Sequence, residues 1–254
     1  MLWAELDPYD RFRAAADAGF RQVEMLFPHE LDANELERTL SQLGLEMVLF
    51  DPAAGDWKGG ERGLMCLPDR DDEFLESVRS ALVLAQRLGT RKINILSGIP
   101  DASTPDDVTQ KTLLRNLRQS AELAAKSGVE VLVENINQVD VPGYWINTVD
   151  KAVSIIRAAG HSNIGLQLDQ YHASMSGEDP VEALRQNFGL IAHVQIADAP
   201  GRHEPGTGSA PIQRFLAELD EAAYAGFVGL EYRPAGSTDE GLGWIKALGS
   251  PASA

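Results

Sequence analysis

Residues 129–169 have the sequence VEVLVENINQVDVPGYWINTVDKAVSIIRAAGHSNIGLQLD, in which a strand, a helix and a second strand follow one another. The apolar runs Val129–Glu134 and Ile164–Asp169 predict the strands, and the stretch Thr148–Ala159 predicts the helix between them. Two strands joined by a helix form a parallel unit, because parallel neighbours need a long crossover connection. This unit decides the fold because the rest of the chain repeats it.

The same alternation continues towards both ends of the chain. The other predicted strands are Val23–Phe27, Leu45–Phe50, Lys92–Leu96, Ile191–Ala197 and Phe227–Glu231. The other predicted helices are Asp32–Leu43, Asp71–Leu88, Pro105–Ser127, Pro180–Gln186 and Ile212–Ala223, followed by a last helix that begins near Asp239. Strands that alternate with helices indicate a parallel sheet covered by crossover helices.

The number of repeats favours a closed barrel. If Leu2–Glu5 is the first strand, the chain approaches eight units of about 32 residues each, the size of the repeat in a (β/α)8 barrel. We therefore predict an α/β fold, a single TIM-barrel domain over residues 1–254 with a shortened first strand. An open doubly wound sheet is the alternative. It would normally have a Gly-rich phosphate turn after its first strand, where this chain has Glu5-Leu6-Asp7-Pro8.

Composition limits the partners of the chain. It has 38 acidic and 22 basic residues and a formal net charge of −16. This charge repels phosphate backbones and offers no basic patch to anionic lipid, so we predict neither a nucleic-acid nor a membrane partner. Cys66 is the single cysteine, and the first residues lack the features of a signal peptide, so we predict a cytoplasmic location. The sequence does not decide between a monomer and a homo-oligomer.

Four consecutive strands in the second half of the chain end in side chains that carry oxygen, namely Glu134, Asp169, Gln195 and Glu231. Parallel barrels place their active sites at the rim where these strand ends meet. A helix N-cap or an ion pair explains any one of these residues equally well, but four in consecutive units indicate a shared site. Crowded carboxylates repel one another, and a divalent cation removes that cost. Ligation by oxygen alone favours Mg²⁺ or Mn²⁺, with Co²⁺ and Zn²⁺ as alternatives.

Other polar residues are expected near the same rim. His172 follows Asp169 in a predicted loop and is expected to contact substrate. Arg202 lies in a later rim loop, where it would hold a carboxylate unless that loop is simply solvated. Arg62 belongs to the Gly-rich segment 55–63, which would act as a lid with Arg62 as an anion clamp. His193 lies on the same strand face as Gln195, and a hydrogen-bonded core histidine is preferred there to a residue that supports a metal ligand.

These residues together resemble the hydroxypyruvate isomerase family, a branch of the xylose isomerase-like barrels. The resemblance runs through nearly the whole chain. Its motifs are Gly55–Trp57, Gly60–Gly63, Lys92–Asn94, Glu134–Asn137, Asp140–Gly143, Asp169–His172, His193–Asp198, Arg202–Gly208, Glu231–Pro234 and Glu240–Leu242.

The resemblance implies particular roles for particular residues. It implies that Glu134, Asp169, Gln195 and Glu231 bind the metal ion and that the two glutamates form the acid/base pair. It also implies that His172 and Arg202 contact substrate oxygens. The chain departs from the family pattern in three places. Several residues that usually precede Met1 are missing, Ser209 replaces a common Glu, and Asp51 replaces a frequent Asn.

The implied activity is isomerisation of hydroxypyruvate to tartronate semialdehyde through a cis-enediolate. The alternatives with the same site are a 2-oxo-tetronate isomerase and a ketose 3-epimerase. An endonuclease IV-like repair enzyme is a remote alternative, because the chain has only five histidines and a net charge of −16. A non-catalytic sugar-binding barrel is another remote alternative, which the presence of both glutamates disfavours.

Overall fold

Seven apolar segments form strands in the computed structural model, which describes residues 1–247. The strands are β1 (Gln22–Met25), β2 (Glu46–Phe50), β3 (Lys92–Asn94), β4 (Glu130–Glu134), β5 (Ile164–Asp169), β6 (Ile191–Ile196) and β7 (Val228–Leu230). The helices are α1 (Pro8–Asp17), α2 (Ala33–Leu43), α3 (Asp71–Leu88), α4 (Asp106–Lys126), α5 (Val149–Ala159), α6 (Gln170–Met175), α7 (Pro180–Asn187), α8 (Ile212–Glu221), α9 (Thr238–Gly241) and α10 (Gly243–Ala247).

The strands pair in chain order from β1 to β7, and every pair is parallel. The sheet curls into a nearly closed barrel in which β1 and β7 are the two edges. Every residue of β5 is buried, because one face of the strand points into the barrel and helices cover the other. The predicted α/β barrel is therefore confirmed.

Local sequence signals account for several helix ends. The side chains of Asp32 and Thr148 accept hydrogen bonds from backbone N–H groups in the first turns of α2 and α5. Gly44, Gly89 and Gly160 end α2, α3 and α5 in the left-handed conformation that favours glycine. The predicted ends of α2, α3 and α5 match the structure, and the predicted starts of α2 and α5 lie within one residue of those observed.

The segment 2–5 forms turns, so the expectation of a strand at Leu2–Glu5 was wrong. The Trp3 N–H donates to the hydroxyl of Thr238 at 2.8 Å, and the Trp3 indole N–H donates to Asp239 Oδ1 at 3.0 Å. Both N–H groups of Trp3 therefore donate to the start of α9 and not to a neighbouring strand. Soon after it, Asp7 caps α1, which has Pro8 at its first position.

Two further elements differ from expectation. Helix α1 was not predicted, although Asp7-Pro8 is a typical helix start. His172 lies in the short helix α6 and not in a loop, because Asp169 caps a helix that begins directly after β5.

The structure leaves the predicted domain range and the predicted location untested. The predicted single domain covers residues 1–254, of which 248–254 lie outside the described residues. No helix within residues 1–247 is long and apolar enough to cross a membrane. The cytoplasmic location stays a prediction.

Candidate active site

A ring of polar side chains lies at the carboxyl ends of the strands. From β2 to β7 they are Asp51, Asn94, Glu134, Asp169, Gln195 and Glu231. All except Glu231 are at most 5% exposed. The register pairs Asp169 with Gln195, so these two predicted ligands are neighbours on adjacent strands. The four predicted metal ligands thus lie at one end of the barrel.

Asp169 is the most buried carboxylate of the ring. Its Oδ1 accepts hydrogen bonds from the N–H groups of Tyr171 at 2.7 Å and His172 at 3.3 Å. Its Oδ2 is buried without a hydrogen-bond partner. Burial, reinforced by Glu231 and opposed by Arg202, raises the pKa of Asp169 to about 8. A buried carboxylate oxygen with no donor is the kind of group that a divalent cation stabilises, so the ring fits a metal ion.

Glu134 is held by one hydrogen bond and surrounded by negative charge. Asn94 Nδ2 donates to Glu134 Oε2 at 2.8 Å. Burial raises the pKa of Glu134 well above its ordinary value, and Glu231, Asp169 and Asp51 raise it further. A carboxyl group with a raised pKa keeps its proton to a higher pH than an ordinary carboxyl group, and general acid/base catalysis requires a positioned group that can hold and release a proton.

Arg202 supplies positive charge to the ring. Its Nη2 lies 2.9 Å from Glu231 Oε1 and 3.6 Å from Asp169 Oδ2, and its Nη1 lies 3.7 Å from Asp140 Oδ2. The guanidinium also stands 5.0 Å from the centre of the Tyr171 ring. The residue predicted to bind a substrate carboxylate is therefore in the site, where it pairs with the predicted ligand Glu231.

His172 also lies in the site, in contact with Asp169 and Asn137. One ligand atom each from Glu134, Asp169 and His172 lie within 4.8 Å of one another. However, His172 Nδ1 accepts the backbone N–H of Asn137 at 3.2 Å, and burial lowers the pKa of the ring well below its ordinary value. A neutral ring that accepts at Nδ1 carries its proton on Nε2. Nε2, 3.6 Å from Asp169 Oδ2, is therefore a hydrogen-bond donor, which suits a substrate oxygen better than a metal ion.

The side-chain amide of Gln195 has a partner at each end. Its Nε2 donates to Glu24 Oε1 at 2.9 Å, and its Oε1 accepts from Gln167 Nε2 at 2.6 Å. Glu24 also contacts His193, which is 1% exposed. His193 is thus buried and hydrogen-bonded to the same carboxylate that accepts from Gln195.

Arg62 is held within its own loop. Its Nη1 donates to the carbonyl oxygens of Trp57 at 3.0 Å and Glu61 at 2.7 Å, and the guanidinium stacks 4.2 Å from the Trp57 ring centre. None of the contacts found in residues 1–247 joins Arg62 to the polar ring. Its role as an anion clamp stays a prediction.

Sequence reasoning missed Glu24, Gln167 and Asn137. Gln167 lies two residues before Asp169, so strand alternation places both on the same face, and this signal was available. Glu24 lies in a predicted strand, but nothing in the sequence shows that its side chain reaches β6. Asn137 reaches His172 through the fold of the loop after β4, which periodicity does not describe.

Comparison with known proteins identifies relatives over most of the chain. Residues 12–248 match the model of a family described as Xylose isomerase-like TIM barrel. A 2-oxo-tetronate isomerase from Cupriavidus necator is 40% identical over 97% of this chain and 95% of its own length. A hydroxypyruvate isomerase from Escherichia coli is 38% identical over 96% of this chain and 95% of its own length.

A solved structure shows the same architecture. A protein from Brucella melitensis named AP endonuclease, family 2, superposes with a TM-score of 0.93 at 37% identity, covering 97% of this chain and 95% of that one. The chain therefore belongs to the xylose isomerase-like TIM barrel family, and its relatives in that family include proteins named hydroxypyruvate isomerase and 2-oxo-tetronate isomerase.

Proposed function

We propose that this chain is a metal-dependent isomerase that converts hydroxypyruvate to tartronate semialdehyde. The observation that carries the proposal is the combination of two glutamates, Glu134 and Glu231, with Arg202 in one polar ring. The reaction needs a base, an acid and a cation for the substrate carboxylate, and these residues supply all three. The E. coli relative is named for this activity.

Glu134, Asp169, Gln195 and Glu231 would hold one divalent ion, most simply Mg²⁺ or Mn²⁺. When bound, the ion supplies a Lewis acid that polarises the carbonyl group of the substrate. Arg202 pairs with Glu231 at 2.9 Å, so it would turn towards the substrate carboxylate when the ion takes its place beside Glu231. His172 would donate its Nε2 proton to a substrate oxygen.

The proton transfers follow from the two glutamates. One glutamate takes a proton from C3 of hydroxypyruvate, and the electron pair of that bond forms the C2–C3 double bond of a cis-enediolate. The other glutamate gives a proton to C2. The proton of the C3 hydroxyl moves to the C2 oxygen, which leaves an aldehyde at C3 and a hydroxyl at C2. Each positioned acid or base contributes roughly 10²-fold to 10⁴-fold to the rate.

A 2-oxo-tetronate is the second candidate substrate. The Cupriavidus necator relative, at 40% identity, is named for it. A 2-oxo-tetronate has the same ketone beside a carboxylate and carries an additional CH2OH group on C3. The same base, acid and arginine would therefore serve both substrates, and the small-molecule hydroxy-keto acids are the substrate class that we propose.

Proton NMR in D2O tests the proposal directly. We expect the C3 proton signal to disappear and the product to appear when protein and Mn²⁺ or Mg²⁺ are added, with separate samples for hydroxypyruvate and a 2-oxo-tetronate. A chelator control and the Glu134→Gln variant should both abolish the exchange. If this protein binds hydroxypyruvate or a 2-oxo-tetronate but exchanges no C3 proton with metal present, it is a non-catalytic binding barrel and the proposal is wrong.

A further inference from the structure

Glu24 connects the two sides of the barrel seam through its side chain. It lies in β1, which is one edge of the sheet, and its carboxylate reaches β6 beyond the other edge strand, β7. His193 Nε2 lies 2.7 Å from Glu24 Oε2, and Gln195 Nε2 donates to Glu24 Oε1 at 2.9 Å. Both carboxylate oxygens are therefore engaged by residues of one strand.

Gly229 has no side chain, and the Glu24 carboxylate occupies the space beside it. Gly229 lies in β7 and pairs in register with Gln195. A Cβ atom at Gly229 would overlap both carboxylate oxygens of Glu24. The carboxylate has little freedom to move aside, because His193 and Gln195 hold one oxygen each.

The Glu24 carboxylate fixes the orientation of the Gln195 side-chain amide. The NH2 end donates to Glu24, and the oxygen accepts from Gln167 at 2.6 Å. A flipped amide would place oxygen against oxygen at Glu24 and NH2 against NH2 at Gln167. Only the oxygen of an amide can bind a cation, since the NH2 group has two donors and no acceptor. Gln195 pairs in register with Asp169, whose Oδ2 has no hydrogen-bond partner. The amide oxygen of Gln195 has two lone pairs, and Gln167 occupies one of them.

We propose that Glu24 is a positioning residue that holds Gln195 with its amide oxygen available to the catalytic cation, with Gly229 making room for it and His193 fixing it. This inference rests on the proposed function, in which Gln195 is a ligand. Residues that orient metal ligands typically change metal affinity by 10-fold to 100-fold when they are replaced.

Titration calorimetry with Mn²⁺ tests the proposal on four variants and the wild-type protein. We expect Glu24→Ala and Gly229→Ala each to raise the Kd for Mn²⁺ by about 10-fold to 100-fold. The double variant should match Glu24→Ala alone, because the added methyl group then has no carboxylate to displace. Gly189→Ala is the matched control, since Gly189 is exposed with nothing within 4 Å of an added Cβ, and it should bind as the wild type does. Thermal unfolding establishes that each variant is folded at the titration temperature.

The ¹⁵N signal of the Gln195 side-chain amide gives a second readout that needs no metal. It should shift in Glu24→Ala and in Gly229→Ala but not in Gly189→Ala. If the wild-type protein binds Mn²⁺ and both Glu24→Ala and Gly229→Ala bind it equally well, the positioning role is wrong while the proposed function stands. If the wild-type protein does not bind Mn²⁺, the proposed cation site is wrong and the positioning role fails with it.

Discussion

At the scale of single residues, Arg202 balances the charge of the polar ring. It has a positive φ of 56°, a left-handed conformation that is uncommon for residues other than glycine. The backbone N–H of Arg233 donates to the Arg202 carbonyl at 2.8 Å, and Arg202 Nε donates to the Glu231 carbonyl at 3.3 Å. The loop after β6 is thus folded back onto the segment after β7, which holds the guanidinium between Glu231 and Asp169.

Replacing Arg202 with Met tests this balance. We expect kcat/KM to fall strongly, because the substrate carboxylate loses its partner. We also expect the metal-free variant to melt at a lower temperature than the metal-free wild type, because removing one partner from a buried ion pair leaves the other charge uncompensated. Arg214→Met is the matched control, since Arg214 is exposed and lies 3.8 Å from the exposed Asp179. An unchanged kcat/KM and an unchanged melting temperature in Arg202→Met would contradict both roles.

The tautomer of His172 leads to a prediction that separates substrate binding from metal binding. Because Nε2 carries the proton, His172→Ala should raise KM by about 10-fold, the effect of one lost hydrogen bond, and leave the Kd for Mn²⁺ close to that of the wild type. Steady-state kinetics and Mn²⁺ titration measure the two effects separately. A large loss of Mn²⁺ affinity with little change in KM would instead make His172 a ligand.

The residues of the site differ in how far sequence could predict them. Glu134, Asp169 and Glu231 could be predicted together because a charge at the end of an apolar strand recurs from unit to unit, and a parallel barrel brings such positions to one rim. Glu24 carries the same charge, but its partners lie 169 and 171 residues away across the seam. Contacts of that kind depend on how the sheet closes, which the local pattern does not describe.

At the scale of elements, the long loop between β2 and α3 docks on the end of β3. Gly63 forms an antiparallel bridge with Ser97, and the Cys66 N–H donates to the Ser97 carbonyl at 2.8 Å. Gly63 has a φ of 118°, and a Cβ there would overlap the carbonyl group of Leu96. This close approach of two backbones explains the glycine and ties the loop to the rim of the barrel.

Gly63→Ala and Gly60→Ala form a matched pair that measures this docking. Both glycines have positive φ, but Gly60 has nothing within 4 Å of an added Cβ. Gly60→Ala should therefore lose about 1 kcal/mol from the backbone strain alone. Gly63→Ala should lose clearly more, with each kcal/mol lowering the melting temperature by about 2–4 °C in a chain of this size. Equal losses in a calorimetric scan would show that the loop does not depend on this contact.

Element boundaries were predictable where a cap marks them and less so elsewhere. Asp32 and Thr148 mark helix starts, and Gly44, Gly89 and Gly160 mark helix ends, so the helices they bound were placed closely. The segment Leu2–Glu5 was misplaced because a short apolar run has no periodicity that separates a strand from a turn. Its conformation is set by Thr238 and Asp239, which pack on it from the other end of the chain.

At the scale of the whole molecule, the carboxylates of the polar ring belong to a chain that already has a formal net charge of −16. Concentrating negative charge in a buried site is unfavourable unless protons or cations compensate it. The stability of the fold and the occupancy of the proposed site are therefore coupled.

Metal binding should stabilise the protein measurably. At a Mn²⁺ concentration of about 100 times Kd, ligand linkage adds about 2.7 kcal/mol to the free energy of unfolding. That corresponds to a rise in melting temperature of roughly 5–11 °C for a chain of this size. Differential scanning calorimetry with Mn²⁺ or with a chelator measures it. An equal gain in Asp169→Asn would show that the stabilising ion binds elsewhere.

The raised pKa values predict how the metal-free protein responds to pH. The pKa of Asp169 is about 8 in the folded protein against an ordinary value of 3.8, so the folded state holds more protons than the unfolded state between these values. The contribution of Asp169 to stability therefore decreases as pH rises through this window and is largest in its acidic part. Melting curves from pH 5 to pH 8 should show a smaller loss for Asp169→Asn than for the wild type. A loss of the same size in both would contradict the raised pKa.

The seam has a consequence for the order in which the chain assembles. Each strand pairs with its neighbour in the sequence, so the sheet can grow one unit at a time from short-range contacts. The bridge from Glu24 to β6 and the bond from Trp3 to Thr238 span 169 and 235 residues, so they close loops that cover most of the chain. Closing loops of that length is entropically unfavourable and rewards the chain only after the intervening strands are in place. Closure of the barrel should thus be a late event in folding. The Trp3 amide, protected only by the side-chain hydroxyl of Thr238, should exchange its proton with solvent earlier than the amides of β5.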